Sequence, residues 1–198
     1  MADQIKHFNK GIVFGRFSSF KIVTGKNRRM NIILECPNSM HGDPRIFATA
    51  FGAMVDRLQD VLLTKGKGAA LRLQGIYGQY EHDGSRTSSF TVYDWITYNE
   101  SEYRAVFILI GRVEQIEKDG DEWRVHLRLS RPGGKDKDNI EEDFILYADN
   151  IGQLSQGQTA KLKGVIARKE DYFGDSEGSF KPYIKEISIL APETEGPF

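Results

Sequence analysis

The chain repeats itself. Gly11-Ile-Val-Phe-Gly-Arg-Phe17 returns as Phe107-Ile-Leu-Ile-Gly-Arg-Val113, Ala70-Leu-Arg-Leu-Gln-Gly75 as Thr159-Ala-Lys-Leu-Lys-Gly164, and Phe90 to Ile96 as Ile184 to Leu190. Gly15 and Gly111 stand 96 residues apart, Gly75 and Gly164 89 apart, and the third echo is offset by about 95. Three echoes in one order at nearly one spacing predict two copies of a single fold. In a chain of 198 residues each copy then has about 100 residues, a common domain size. The expected boundaries are 1–100, 101–190 and a short acidic tail, 191–198, with the join near Tyr98 to Glu102.

The first copy shows its organisation best between Arg45 and Trp95. Arg45 to Phe51 reads as a strand, Met54 to Lys65 as a helix stopped at Gly66, Ala69 to Tyr80 as a second strand, and Thr87 to Trp95 as the return from the turn Asp83-Gly84. Before it, Phe8 to Val23 reads as a long first strand bending at Gly15, 24–29 as a basic turn, and Met30 to Cys36 as strand two. The helix places Val55, Leu58, Val61 and Leu62 on one stripe, suited to plugging the open end of a barrel.

The second copy is reduced. Tyr103 to Ile116 is strand one, Lys118-Asp-Gly-Asp121 a hairpin turn, and Trp123, Val125, Leu127 and Leu129 then alternate with Arg124, His126 and Arg128. Asp143 to Tyr147, Thr159 to Glu170 and Pro182 to Leu190 complete five strands, and Asn150 to Gln156 leaves room for barely two helical turns. The fold class expected is all-β, two tandem five-stranded barrels with one short helix in each.

Several function classes find no support in the residues. No apolar run approaches the ~20 residues of a membrane helix, and the N-terminus has no apolar signal core, so the expectation is a cytoplasmic protein. The single Cys36 cannot form an internal disulfide and reads as a small buried or edge residue before Pro37. His7, His41, His82 and His126 are scattered, so neither a metal site nor a cofactor is expected. Pro132-Gly-Gly-Lys135 lacks the spacing and hydroxyl of a phosphate-binding loop, and Asp136-Lys-Asp138 is followed by Ile140 and Glu141 where a calcium loop needs a ligand and a Gly. An enzyme is not expected.

Charge separates the copies. Residues 1–100 hold 13 Lys/Arg against 9 Asp/Glu, or +4, and residues 101–198 hold 14 against 19, or −5. The first copy is the better partner for a polyanion.

Two five-stranded barrels with a helix between strands three and four resemble the OB-fold, which commonly binds oligonucleotides. More specifically, Arg45 to Val92 is similar to bacterial and phage-type single-stranded DNA-binding proteins. It has the strand ending Phe51-Gly52, the helix Met54 to Thr64, the step Lys67-Gly68, the strand Leu71-Arg-Leu-Gln-Gly75 and the hairpin Tyr80 to Arg86. The resemblance reaches back to Asn9 to Gly15 and, faintly, into the second copy. The end Glu193-Thr-Glu-Gly-Pro-Phe198 is similar to the acidic tail by which that family recruits replication and repair enzymes, so Glu193, Glu195, Pro197 and Phe198 are the expected partner-binding residues. This tail is shorter and less acidic than the family's.

The site follows from strand faces. Arg45, Phe47, Thr49 and Phe51 share one side of their strand, and Ile46, Ala48 and Ala50 the other. Either side is a possible core, but Arg45 and Thr49 favour Phe47 and Phe51 facing water, where they would stack on unpaired bases. Tyr80 and His82 fall on the hairpin that the resemblance makes a DNA-gripping finger, with His82 where the family has Trp. Arg16, Lys26, Arg28, Arg29, Arg72 and Arg86 are the candidate phosphate contacts. In the second copy Arg124, His126 and Arg128 form a basic stripe that either continues the DNA path, faces water, or pairs with the acidic loop 136–143. Tyr77, Tyr93 and Trp95 read as core or rim.

The expected function is sequence-nonspecific binding and protection of single-stranded DNA in replication, recombination or repair. The resemblance implies a homodimer of four barrels and a bacterial, nucleoid-associated or phage setting. An OB module that binds other proteins, or one that binds structured RNA, remains an alternative.

Overall fold

A computed structural model describes residues 7–37, 44–82, 85–97, 103–131, 138–167 and 180–190. Packing divides the chain into two units, Lys10–Phe107 with Val165–Lys181, and Met1–Asn9 with Ile108–Gly164 and Pro182–Phe198. The strands, in chain order, are β1 Phe8–Val23, β2 Arg29–Glu35, β3 Arg45–Phe51, β4 Ala70–His82, β5 Ser85–Thr97, β6 Arg104–Asp119, β7 Glu122–Arg131, β8 Ile140–Ala148, β9 Thr159–Ala167 and β10 Lys181–Leu190, and helix α1 is Ala53–Lys65.

The first barrel has strand order β2-β3-β5-β4-β1 and closes through β1–β2; the second runs β6-β7-β8-β10-β9 and closes through β6–β9. β3 pairs with β5 in parallel, with Phe47 opposite Ser89 and Ala50 opposite Val92, because α1 and β4 together form the crossover between them. Every other resolved pairing of this barrel is antiparallel. This is the OB topology, written twice.

Closure uses the same device in both. The irregularity in β1 falls between Phe17 and Ser19, not at Gly15 as expected, and the one in β6 falls between Val113 and Gln115. A bulge bends a strand sharply enough to serve two sheet edges. At the bulge the Phe17 amide donates to the Ala69 carbonyl (2.8 Å) and the Gly68 amide to the Phe17 carbonyl (2.7 Å). In the second barrel Val113 donates to Gln158 and receives from Gly157, both at 2.8 Å.

Inner positions hold the core. Val13, Phe17, Met30, Ile32, Leu34, Ile46, Ala48, Leu71, Leu73, Tyr77 and Phe90 are buried in the first barrel. The Tyr77 ring lies 5.5 Å from Phe90 and 5.0 Å from Phe107, and its hydroxyl is bonded to Ser88 and Gln79. Burial pushes that hydroxyl up to about 12. The second core is built from Leu109, Val113, Val125, Leu127, Leu129, Phe144, Leu146 and Leu162.

Helix α1 buries Val55, Leu58 and Leu62. It begins after Gly52 (φ 57°) and stops at Gly66 (φ 76°), whose amide closes on the Leu62 carbonyl. Val61 lies at the edge of the stripe, half-buried.

No helix forms between β8 and β9. Residues 150–158 turn instead at Gly152 and Gly157, both in the left-handed region, with the Asn150 side chain accepting from the Gly152 amide at 2.7 Å. Leu154, 4% exposed, is the buried apolar residue this segment supplies. A span this short cannot repay helix nucleation.

Candidate functional site

The outer face of β2 and β3 brings four expected residues together. β3 alternates as expected, with Ile46, Ala48 and Ala50 buried and Arg45, Phe47 and Phe51 exposed. Phe47 is 42% and Phe51 46% exposed, although burying a Phe side chain is worth roughly 1.5–3 kcal/mol. Across the β2–β3 ladder Arg29 faces Phe51, Asn31 faces Thr49, Ile33 faces Phe47 and Glu35 faces Arg45. Two open rings are thus flanked at each end by a guanidinium.

The cations differ in how they are held. Among the described residues no carboxylate pairs with Lys26 or Arg29. Arg28 donates to Asp56 in the first turn of α1 at 2.7 Å, and Arg45 lies 3.6 Å from Glu35. Exposed pairs of this kind are worth about 0–1 kcal/mol, so a phosphate can replace either carboxylate.

Arg16 and Arg72 stand elsewhere, on β1 and β4. The Arg16 guanidinium lies over the Tyr103 ring (5.2 Å) and its Nε donates to the Tyr103 hydroxyl (2.9 Å). Arg72 lies over Phe14 (5.9 Å) and donates to the Gln74 amide oxygen (3.1 Å). Tyr80, 42% exposed, and Arg86 are on the β4–β5 hairpin arm, where Tyr80 faces Thr87 and Glu81 faces Arg86. The His82 backbone pairs with Ser85; its side chain lies outside the described residues, as do Glu193, Glu195, Pro197 and Phe198.

Of the residues expected at the core or rim, Tyr93 is at the rim. It is 49% exposed, one step beyond the last β3–β5 rung, Ala50 opposite Val92, and so on the strand next to Phe51. Gln74 Nε2 donates to its hydroxyl at 3.1 Å. Its parity matches polar Thr91 rather than buried Phe90 and Val92, which is the signal that places it outside. The shift of register between Gln74 and Gly75 then turns Trp95 partly inward. A side chain on Gly75 would sit 2.0 Å from the Thr91 carbonyl oxygen.

The basic stripe of β7 is paired at Arg128 and His126. Arg128 donates to Asp143 at 2.8 Å and lies 4.0 Å from Glu141, and the hydrogen bond to Asp143 raises its already high pKa. His126 lies 4.0 Å from Glu117, and Arg131 is bonded to Glu142. Arg124 is half-buried, with its Nε lacking a hydrogen-bond partner. Among the described residues no group of three or more His, Cys, Asp or Glu is placed to hold a metal ion, and no helix is long and apolar enough to cross a membrane.

Strand order and closure define a tandem OB fold. The wild-type single-stranded DNA-binding protein of Thermus aquaticus superposes over 98% of this chain and 97% of its own, with a TM-score of 0.64 and 12% identity. A deletion mutant of that protein superposes over 96% and 99%, at 0.61 and 12%. The N-terminal domain of PriB from Thermoanaerobacter tencongensis covers 46% of the chain at 17% identity, with a TM-score of 0.35, too loose to carry weight. No family model matches the sequence, and no curated protein matches it.

Proposed function

We propose that this protein binds single-stranded DNA with little sequence preference and shields it during replication, recombination or repair, without acting on it chemically. The observation that carries the reading is the exposed pair Phe47 and Phe51 on β3, set between Arg29 and Arg45. Unpaired bases offer a ring face whatever their identity, and each base stacked on an aromatic side chain gains roughly 1–3 kcal/mol. Duplex bases are already stacked, so the face selects single strands. Tyr93 and Tyr80 extend the aromatic surface, and Lys26, Arg28, Arg29 and Arg86 supply positive charge along it. The same reading has two chains assembling into a unit of four barrels, with the C-terminal Phe198 meeting replication or repair enzymes.

The test is a fluorescence titration of Trp and Tyr emission with a thymine oligonucleotide at several salt concentrations, with duplex as competitor. Tight, salt-sensitive quenching that duplex does not relieve is expected. Absence of binding at low salt would sink the reading and leave the protein-interaction module.

A further inference from the structure

We infer that the second barrel is closed to nucleic acid, so that each chain offers one DNA-contacting barrel, and that Asp143, Ile145 and Asp149 set this exclusion. The inference rests on the reading above, because it takes the ligand to be a single strand of phosphates and bases.

The shared closure gives a residue-by-residue correspondence between the barrels. Arg16 faces Glu35 and Phe20 faces Ile32 in the first; Arg112 faces Arg128 and Ile116 faces Val125 in the second. Glu35 then corresponds to Arg128 and Ile32 to Val125. Following the next ladder, Glu35 faces Arg45 and Ile33 faces Phe47, while Arg128 faces Asp143 and His126 faces Ile145. Asp143 therefore stands at the place of Arg45 and Ile145 at that of Phe47. One step past the rung of Trp123 with Ala148, Glu122 and Asp149 stand at the places of Arg29 and Phe51.

Both ingredients of the first face, rings and flanking guanidinium groups, are thus removed or reversed. Both flanking guanidinium positions carry carboxylates, and both stacking positions lack a ring. Arg128, which replaces an acid, has two carboxylates beside it, Asp143 at 2.8 Å and Glu141 at 4.0 Å, where Arg45 has Glu35. The aromatic groups nearby are engaged. Tyr183, 4% exposed, donates to the carboxylate of Glu122, itself 7% exposed, and the Tyr147 ring is 6.1 Å from it. Lys118 lies over Trp123 at 5.6 Å. Among the described residues, a phosphate approaching this face meets Asp143 where the first barrel offers Arg45, and a base meets Ile145 and Asp149 where it offers Phe47 and Phe51.

The experiment is photo-crosslinking of an iodouracil-substituted oligonucleotide to the full chain, with adducts mapped by peptide mass, alongside affinities of two variants. Adducts confined to the first barrel are expected, at Phe47, Phe51 or Tyr93. Arg124→Ala with Arg128→Ala is expected to leave Kd within about twofold. The variant Arg128→Glu, Asp143→Arg, Ile145→Phe and Asp149→Phe writes both rings and the Glu35–Arg45 rung of the first face into the second barrel, and should add crosslinks on β8 and tighten a long oligonucleotide about tenfold. Wild-type adducts on β7 or β8, or a tenfold loss in the alanine pair, would overturn the inference while leaving single-strand binding intact. A folded four-residue variant without gain would overturn the assignment to these residues. If that variant does not fold, the wild-type adduct map decides alone; if the wild type binds no oligonucleotide, both readings fall together.

Discussion

Where the first barrel sets Phe51 opposite Arg29, the second sets Asp149 at the first place and Glu122 at the second. Behind those faces the backbones agree closely, with 16-residue opening strands, bulges at matching positions and the same pair of closing hydrogen bonds. The comparison teaches that the OB framework constrains the inner row of side chains and leaves the outer row open. Fold likeness to a DNA-binding protein therefore says little about which barrel touches DNA; the outer residues decide it.

The sharpest way to break the comparison is to remove the rings. Phe47→Ala with Phe51→Ala should weaken binding to a thymine oligonucleotide on the order of a hundredfold or more, from two stacks of roughly 1–3 kcal/mol each. Both rings are already exposed, so the melting temperature should move little. Wild-type affinity in the folded double variant would end the stacking assignment.

Next in size is a contrast in packing. A side chain on Gly111 would meet the Arg128 carbonyl oxygen at 2.6 Å and Leu129 at 2.7 Å, whereas one on Gly15, its counterpart, would meet nothing nearer than 3.1 Å. Gly111→Ala should cost roughly 1–3 kcal/mol in urea unfolding, and Gly15→Ala distinctly less. Equal losses would show that the barrels are packed alike at this point.

A smaller effect follows from Tyr77. Its hydroxyl is pushed up to about 12 by burial in the native state, against about 10 in the unfolded chain. Below pH 10 both states keep the proton and stability is complete. Between about 10 and 12 the unfolded chain loses its proton first, so stability falls by at most ~1.4 kcal/mol per pH unit. Urea midpoints through this range should fall less steeply in Tyr77→Phe; parallel slopes would mean that the group does not titrate with unfolding. Burial, then the Glu122 carboxylate, pushes Tyr183 up as well, so Tyr183→Phe makes the matching probe in the second barrel.

The smallest effect concerns salt. Arg29→Ala with Arg45→Ala should reduce the log-log salt slope of binding by about 1.4, at about 0.7 per phosphate on single strands. An unchanged slope would take both arginines out of the site.

Much of the fold was legible because period-two alternation is written plainly in this chain. Phe8–Val23 and Arg45–Phe51 run as expected from the residues alone, and the outward turn of Phe47 and Phe51 followed from Arg45 and Thr49. What failed has physical causes. The expected second helix asked a short span to nucleate alone. The third echo was placed near an offset of 95, but Tyr183 faces Tyr147 as Thr91 faces Thr49, an offset of 92 that only cross-strand register reveals. The pairing of Arg128 with Asp143 joins residues 15 apart, and no sequence pattern distinguishes that partner from the rest of the acidic loop.

The bulge at Phe17 and Val113 has a consequence for how such a chain can change. Its closing bonds run between main-chain amides and carbonyls, which nearly every residue type supplies. Mutations on the outer rows can accumulate, reverse a charge or erase a ring without opening the barrel. A duplicated barrel of this build can lose one ligand and acquire another while its partner keeps the original task.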